Sequence, residues 1–281
     1  MEKLVSTQWL AENLGSADLA IVDASAHLPD AGRNPGEEFE QAHIPGAVFL
    51  DLPSFFDPTS DVPSAVPNAD QFAQRTGDLG IADGMRVVIY DDSYVKTAAR
   101  AWFILRMHGV ENVAVLDGGL GKWRDEGRPL VGGKADIAAA KHNPTAGHAP
   151  LRYKADIAAN IETKAEGVVD ARGADRFTGE LPDFRPEVAS GHIPGSRNVP
   201  FDKVLNADGT YKTADEIRAA FAEAGVDLDQ PVVTTCGGGV TAAVLLFALE
   251  LAGKDDVALY DGSWSEWGCD PSTPKELGEA R

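Results

Sequence analysis

Residues 231–253 form the sequence PVVTTCGGGVTAAVLLFALELAG, which decides the fold class. β-Branched residues up to Thr235 are typical of a buried strand, and the apolar run over 241–251 predicts a buried helix that ends before Gly253. A strand, a short turn and a helix in this order indicate an α/β fold with a parallel sheet. Cys236 lies in the turn, at the sheet edge where such folds place their ligands.

The chain contains one internal repeat. Four pairs of motifs occur twice in the same order, and the offset between the members of each pair stays between 144 and 149 residues. A steady offset of this kind indicates a duplicated domain. The pairs are AIVDAS (20–25) with GVVDAR (167–172), HIPGAVFLD (43–51) with HIPGSRNVPFD (192–202), VVIYDD (87–92) with VVTTCG (232–237), and VLDGGLGKW (115–123) with LYDGSWSEW (259–267).

The fold class predicted for both copies is α/β, each copy being a parallel β-sheet flanked by helices. We place the first domain at residues 1–135, a linker rich in Gly, Ala and Pro at 136–150, and the second domain at 151–281. The first copy has Asp91 where the second has Cys236. We therefore expect the first domain to be catalytically inactive. The predicted strands are 19–22, 86–90, 113–116, 167–169, 231–235 and 257–260.

The loop after the cysteine favours a bound anion. Three glycines let the backbone curl so that N–H groups point inward, and the following helix adds partial positive charge at its N-terminus. The anion would be the sulfur of Cys236, and Thr241 is a candidate hydroxyl donor to it. An ordinary turn with a small core cysteine is the alternative interpretation. The predicted site loop consists of Cys236, Gly237, Gly238, Gly239, Val240 and Thr241.

Composition excludes several partners. The net charge of −19 argues against nucleic acids and anionic membranes, since both need clustered Lys and Arg. The opening residues lack the apolar run of about seven residues that a signal peptide needs, and no window has the roughly 18 apolar residues of a membrane span. We expect a cytoplasmic protein with two reduced cysteines, Cys236 and Cys269. The six histidines show no metal-ligand spacing, so no metal site is expected.

CGGGVTA, the two HIPG motifs and YDGSWSEW together resemble the tandem-domain rhodanese and 3-mercaptopyruvate sulfurtransferase family over nearly the whole chain. The resemblance implies two rhodanese-like domains, with an inactive first domain and the active-site cysteine in the second. It implies a ping-pong reaction through a Cys236 persulfide without a metal or organic cofactor. The partners implied are a small-molecule sulfur donor and an acceptor, which is a thiol such as thioredoxin or glutathione, or cyanide.

The loop sequence bears on the donor. Within the family, thiosulfate enzymes tend to have CRKGVT, whose two cations meet a dianion, whereas mercaptopyruvate enzymes tend to have an uncharged loop. Gly237 and Gly238 stand at the two cation positions, which favours 3-mercaptopyruvate, with a thiosulfate:cyanide sulfurtransferase as the alternative. Gly238 also replaces a serine that assists proton transfer in many mercaptopyruvate enzymes.

The same resemblance implies the substrate-binding residues. Arg176 and Arg185 match two arginines that hold the keto-acid, and a guanidinium pairs bidentately with a carboxylate. Solvated loop arginines paired to nearby acids are the ordinary alternative. His43 matches a first-domain histidine linked to the loop serine, but a structural role in HIPG is served equally by His192 in the other copy.

Two rival classes remain. A cysteine phosphatase shares the strand, loop and helix plan but needs an arginine at the position of Ala242. A non-catalytic binding module would not need an intact Cys236. Cys269 is interpreted as an incidental thiol. Trp264, which has no aromatic counterpart in the first copy, is a candidate for the pocket wall.

Overall fold

The structure is a computed structural model that describes residues 1–135, 138–147, 150–183 and 185–280. The chain forms two compact units. The first comprises Met1–Pro58, Val66–His148 and Ala207–Tyr211, and the second comprises Thr59–Ala65, Ala149–Asn206 and Lys212–Arg281. Two short segments, Thr59–Ala65 and Ala207–Tyr211, are each assigned to a different unit from the residues on either side of them in the chain. No pattern in the sequence predicted this.

The first unit contains a five-stranded sheet in which every pairing is parallel. The strands are β1 (Leu4–Val5), β2 (Leu19–Asp23), β3 (Ala47–Phe49), β4 (Arg86–Tyr90) and β5 (Val113–Leu116). Their spatial order is β1-β5-β4-β2-β3. Val87 to Tyr90 of β4 are fully buried, as expected for a central parallel strand covered on both faces.

The second unit contains a sheet of the same plan. Its strands are β6 (Leu151–Arg152), β7 (Gly167–Asp170), β8 (Arg197–Asn198), β9 (Val232–Thr235) and β10 (Val257–Tyr260). Their order, β6-β10-β9-β7-β8, repeats that of the first sheet strand for strand. The predicted α/β class with two parallel sheets is therefore confirmed.

Ten α-helices occur among the described residues, five in each unit, together with three short 3₁₀ segments at Pro29–Ala31, Leu52–Phe55 and Phe201–Val204. None of these helices is long and apolar enough to cross a membrane. The helices are α1 (Thr7–Asn13), α2 (Pro35–Gln41), α3 (Ala69–Asp78), α4 (Ala98–Met107), α5 (Gly119–Asp125), α6 (Lys154–Thr163), α7 (Ala174–Thr178), α8 (Ala214–Glu223), α9 (Val240–Leu251) and α10 (Ser263–Trp267).

Helix α9 is the central helix of the second unit. Eight consecutive residues, 242–249, are buried, as expected for a helix that is apolar on every side. Each large aliphatic or aromatic side chain buried in this way contributes about 2 kcal/mol to stability. The helix is therefore a rigid base for the loop at its N-terminus. The matched residues Trp123 and Trp267 are buried in their respective cores.

The part of the predicted linker that the structure describes, residues 138–147, packs along the first unit. Its backbone donates to Gly77, His108 and Met107 carbonyls at 2.9 to 3.1 Å. Asn143 donates to the Asp83 carboxylate through both its backbone and its side chain. This stretch is consequently part of a folded domain.

Candidate active site

Cys236 lies between the end of β9 and the start of α9, and its side chain is 2% exposed. The backbone N–H of Gly239 donates to the cysteine Sγ over 3.1 Å. Gly239 has a φ of 80°, a left-handed conformation that glycine adopts without steric cost. Gly237 and Gly238 are half-buried and link the sulfur to the partly exposed edge of the loop. The sulfur thus belongs to a buried residue, lies next to half-buried glycines and is held by an amide.

The start of α10 fastens this loop. The Ser263 hydroxyl accepts from the Cys236 N–H at 3.2 Å, and the Trp264 N–H donates to the Cys236 carbonyl at 2.9 Å. The Ser265 N–H donates to the Gly237 carbonyl at 2.8 Å, and the Ser265 hydroxyl donates to the same oxygen. Residues 263–265 therefore hold the backbone N–H and carbonyl of Cys236 and the carbonyl of Gly237. The sequence analysis singled out this motif but assigned no role to its two serines.

Arg185 is joined directly to this assembly. Its Nη1 donates to the Ser265 hydroxyl at 2.7 Å, while Nε and Nη2 donate to the two carboxylate oxygens of Asp183 at 2.9 and 3.1 Å. Burial alone would raise the pKa of Asp183, but the hydrogen bonds and charge of Arg185, with a smaller effect from Arg176, outweigh it and lower that pKa. Asp183 is therefore the acid that pairs with Arg185 and fixes its orientation.

Arg176 lies on the short helix α7 and is half-buried. Its backbone N–H donates to the Asp175 carboxylate at 2.8 Å. The charge of Arg176 acts on Asp183, the residue that also binds Arg185. The structure therefore brings Arg185 to the cysteine loop through Ser265. Arg176 is related to the same carboxylate, Asp183, through its charge.

A search against protein families gives the decisive comparison. The family described as Rhodanese-like domain matches residues 6–126 and again residues 154–269. The chain belongs to the rhodanese-like family. Each of the two matches covers four of the five strands of one sheet, β2 to β5 in the first and β7 to β10 in the second, in agreement with the duplication seen in the sequence.

Full-length relatives of these rhodanese-like domains include sulfurtransferases of both donor classes. The chain is 42% identical to the 3-mercaptopyruvate sulfurtransferase of Mus musculus, over 94% of this chain and 91% of that protein. It is 38% identical to the thiosulfate sulfurtransferase of Cricetulus griseus, again over 94% and 91%. The crystal structure of the 3-mercaptopyruvate sulfotransferase SseA from Escherichia coli matches with a TM-score of 0.85 and 36% identity, over 95% of this chain and 100% of that one.

The first rhodanese-like domain has a carboxylate at the position of the cysteine. Asp91 Oδ2 accepts from the Ala98 N–H at the start of α4 over 2.7 Å, and Oδ1 accepts from the Ser93 N–H over 3.1 Å. Burial raises the pKa of Asp91, whose side chain is 4% exposed. A fixed carboxyl group, with no transferable sulfur, therefore lies where the second domain has its cysteine.

His43 and His192 have the same environment in the two rhodanese-like domains. The His43 ring stacks on Phe39 at 3.8 Å and its Nδ1 bonds the Phe39 carbonyl at 2.7 Å. The His192 ring stacks on Phe177 at 3.8 Å and its Nδ1 bonds the Phe177 carbonyl at 2.8 Å. Since both rings are buried, the matched geometry favours a packing role in each copy.

Two further expectations differ from the structure. Among the described residues, Thr241 makes no side-chain hydrogen bond, so the predicted donation to the sulfur is absent and the Gly239 amide provides the contact instead. Trp264 is 1% exposed and donates through its ring N–H to the Ala189 carbonyl at 2.8 Å. The Arg172 guanidinium lies 4.6 Å above that ring. Trp264 is therefore a buried side chain whose ring N–H is already bonded to the backbone.

The remaining cysteine, Cys269, is exposed, and both cysteines are free thiols. Among the described residues there is no group of three His, Cys, Asp or Glu side chains placed to hold a metal ion.

Proposed function

We propose that this rhodanese-like protein is a sulfurtransferase that takes sulfur from 3-mercaptopyruvate, carries it as a Cys236 persulfide and releases pyruvate. The observation that carries the proposal is the hydrogen bond from the Gly239 amide to Sγ in a loop without side-chain cations. That amide, at the N-terminus of α9, stabilises negative charge on the sulfur. The 42% identity to a 3-mercaptopyruvate sulfurtransferase over nearly the whole chain supports the same conclusion.

The proposed reaction has two half-reactions. In the first, the Cys236 thiolate attacks the sulfur of 3-mercaptopyruvate, an S–S bond forms, and the C–S bond breaks with its electron pair on carbon. The resulting pyruvate enolate takes up a proton. In the second, an acceptor thiolate or cyanide attacks the outer sulfur, and the S–S bond breaks to restore the Cys236 thiolate. Each step balances without an external oxidant or metal.

Arg185 and Arg176 are the proposed partners of the donor carboxylate. Asp183 fixes two nitrogens of Arg185, and Nη1 is directed to Ser265 next to the cysteine loop. In a protein with a net charge of −19, such fixed cations are needed to attract a small anion. Arg176 adds positive charge near the same carboxylate. The buried, stacked environment of His43 supports no proton transfer, so the proposed mechanism omits it.

Mass spectrometry tests the covalent intermediate. After incubation with 3-mercaptopyruvate and no acceptor, the peptide that contains Cys236 should gain about 32 Da, the mass of one sulfur atom. Cys236→Ser should abolish both this gain and the turnover, whereas the matched control Cys269→Ser should retain both. A modified Cys269 peptide with an unmodified Cys236 peptide would overturn the proposal.

Thiosulfate is the second candidate donor, because a thiosulfate sulfurtransferase is also 38% identical to this chain. The uncharged pair Gly237 and Gly238 favours the monoanionic mercaptopyruvate over a dianion. Values of kcat/KM for both donors on one preparation decide between them, and a higher value for thiosulfate would reverse the assignment.

The acceptor and the location are part of the same proposal. We propose a thiol acceptor, such as thioredoxin or glutathione, with cyanide as an alternative, and a cytoplasmic location. The presence of two free cysteines is compatible with a reducing compartment, where such acceptors are abundant. Persulfide transfer to each acceptor, followed as loss of the added sulfur from Cys236, ranks the candidates.

A further inference from the structure

The second unit contains a cavity of about 460 Å³ that the proposed sulfur transfer does not use. It lies where β7 and β8 begin, next to the C-terminal ends of α6 and α8. Its apolar lining includes Ile161, Val168, Ile193 and Val226. A cavity of this size is within the range that small-molecule ligands occupy.

Two cations line this cavity without a partner. Within the described part of the chain, neither the Lys164 ammonium nor the Arg197 guanidinium has a hydrogen bond or an ion pair. Arg197 is half-buried on β8 next to Gly225, so its charge is held beside the cavity. Unpaired cations are notable in a chain with 44 acidic and 25 basic residues.

The acidic residues of the cavity are already engaged. Both carboxylate oxygens of Glu166 accept from the Arg152 guanidinium, at 2.6 and 2.8 Å. Asp227 Oδ1 accepts from the backbone N–H of Asp229 at 2.9 Å. Neither carboxylate is paired with Lys164 or Arg197 in the described residues, so both cations are available to an anionic ligand.

The first copy has a paired arginine at the matching place. There Arg86, at the start of β4, donates to both carboxylate oxygens of Asp18 at 2.8 Å and to Asn13 at 3.0 Å. The residue that matches Arg86 in the second copy is Pro231, which has no donor with which to build this cluster. The residue that matches Arg197 in the first copy is Val48. The cations of the cavity are therefore particular to the second copy.

The cavity is separate from the cysteine. Strands β7 and β9 are parallel, and Gly167 pairs with Val232 at the cavity end. Cys236 follows the opposite end of β9, four residues further on, which corresponds to about 13 Å of extended strand. A ligand in the cavity does not overlap a donor bound at the sulfur.

We propose that this cavity binds a small organic anion, in which a carboxylate, sulfonate or phosphate meets Lys164 and Arg197 and an apolar body covers Val168, Ile193 and Val226. The apolar lining excludes inorganic phosphate or sulfate as a good fit. A neutral ligand is disfavoured because it would cover the half-buried Arg197 guanidinium without supplying a counter-charge.

The probe for this site is 8-anilinonaphthalene-1-sulfonate, a fluorescent sulfonate with an apolar body, titrated into the full chain. Wild type should bind one molecule per chain. Arg197→Gln and Lys164→Gln should each weaken binding about tenfold, and Arg197→Lys should retain most of the affinity. The matched control is Lys141→Gln, a cation of the first unit, which should leave the affinity unchanged. All four variants should retain wild-type turnover of 3-mercaptopyruvate.

Several results would overturn the site. The first is a failure of the dye to bind wild type at one molecule per chain. The second is an equal affinity for the dye in wild type, Arg197→Gln and Lys164→Gln. The third is release of the dye by saturating 3-mercaptopyruvate. Lys164 is exposed at the end of α6, so its substitution tests the site even where Arg197→Gln lowers the amount of folded protein. Dye binding and sulfur transfer are measured separately, so failure of one leaves the other intact.

Discussion

Ser265 connects Arg185 to the cysteine loop: the guanidinium donates to the serine hydroxyl at 2.7 Å, and that hydroxyl donates to the Gly237 carbonyl. Asp183 holds the other side of the guanidinium. A cation fixed on both sides keeps one orientation, which is what a preorganised binding site requires. The position of the charge and the conformation of the loop are consequently coupled.

Ser265→Ala tests this coupling. The substitution removes the acceptor of Arg185 and the donor to Gly237, so we expect kcat/KM for 3-mercaptopyruvate to fall about tenfold, the effect of losing one hydrogen bond to a charged group. Steady-state kinetics measure it. The control is Ser272→Ala, whose hydroxyl bonds only Asp270 in the described residues. An unchanged kcat/KM in Ser265→Ala would mean that the serine does not position Arg185.

Arg176→Gln tests the second cation. If Arg176 binds the donor carboxylate equally in the ground state and the transition state, its loss raises KM about tenfold or more and changes kcat little. The measurement compares KM for 3-mercaptopyruvate in wild type, Arg176→Gln and the control Arg75→Gln on α3. Equal KM values in the three proteins would remove Arg176 from the substrate site.

Gly238→Ser tests whether the loop needs a hydroxyl. A Cβ at this position would lie 3.4 Å from the Ser265 hydroxyl oxygen, an ordinary contact, so the loop should accept serine. The added hydroxyl provides a proton donor for the pyruvate enolate, and we expect kcat with 3-mercaptopyruvate to rise several-fold. Pre-steady-state release of pyruvate measures this step. A lower kcat with an unaltered melting temperature would contradict a role for the hydroxyl.

Asp23 provides a test of pH dependence. Burial, only partly opposed by hydrogen bonds from Ser25 and Tyr90, raises the pKa of Asp23 from 3.8 to about 6. A carboxyl group whose pKa is higher in the folded chain than in the unfolded chain stabilises the fold at pH values below the unfolded pKa. This contribution to the free energy of unfolding, up to about 3 kcal/mol, is lost as the pH rises through 6. In Asp23→Asn, the free energy of unfolding should change correspondingly less between pH 4 and pH 7.

Urea unfolding at both pH values measures the effect. Asp30→Asn, at an exposed position in the same unit, is the control and should behave as wild type. The same change with pH in wild type and Asp23→Asn would contradict the assignment. The matched residue of the second copy, Asp170, differs because Arg172 forms an ion pair with it at 2.6 Å, whereas the first copy has Ser25 at that position.

The central strands were predictable and the edge strands were not. The six predicted strands correspond to β2, β4, β5, β7, β9 and β10 within one residue at each end. Long runs of buried β-branched residues give a strong pattern. Strands β1, β3, β6 and β8 have only two or three residues. A segment of two or three residues is too short to show an alternating pattern of apolar and polar residues. It is recognised as a strand only by its hydrogen bonds to a neighbouring strand.

The residues of the candidate site were also predictable only in part. Cys236 and its glycines were identified because they are consecutive and their chemistry depends on local backbone geometry. Ser263 and Ser265 were missed because their contacts with the loop and with Arg185 span 27 and 80 residues of sequence. Hydroxyl groups that bond distant backbone atoms leave no local pattern. Thr241 makes no side-chain hydrogen bond among the described residues, and the Gly239 amide is the donor that contacts the sulfur.

Replacement of the first copy's cysteine by Asp91 has a chemical consequence. Both thiols of the chain, Cys236 and Cys269, belong to the second unit. Thiol-selective alkylating agents therefore have both of their targets in the second unit. Peptide mapping after such treatment should find the added alkyl groups in the second unit, and peptides of the first unit serve as an internal standard within the same polypeptide.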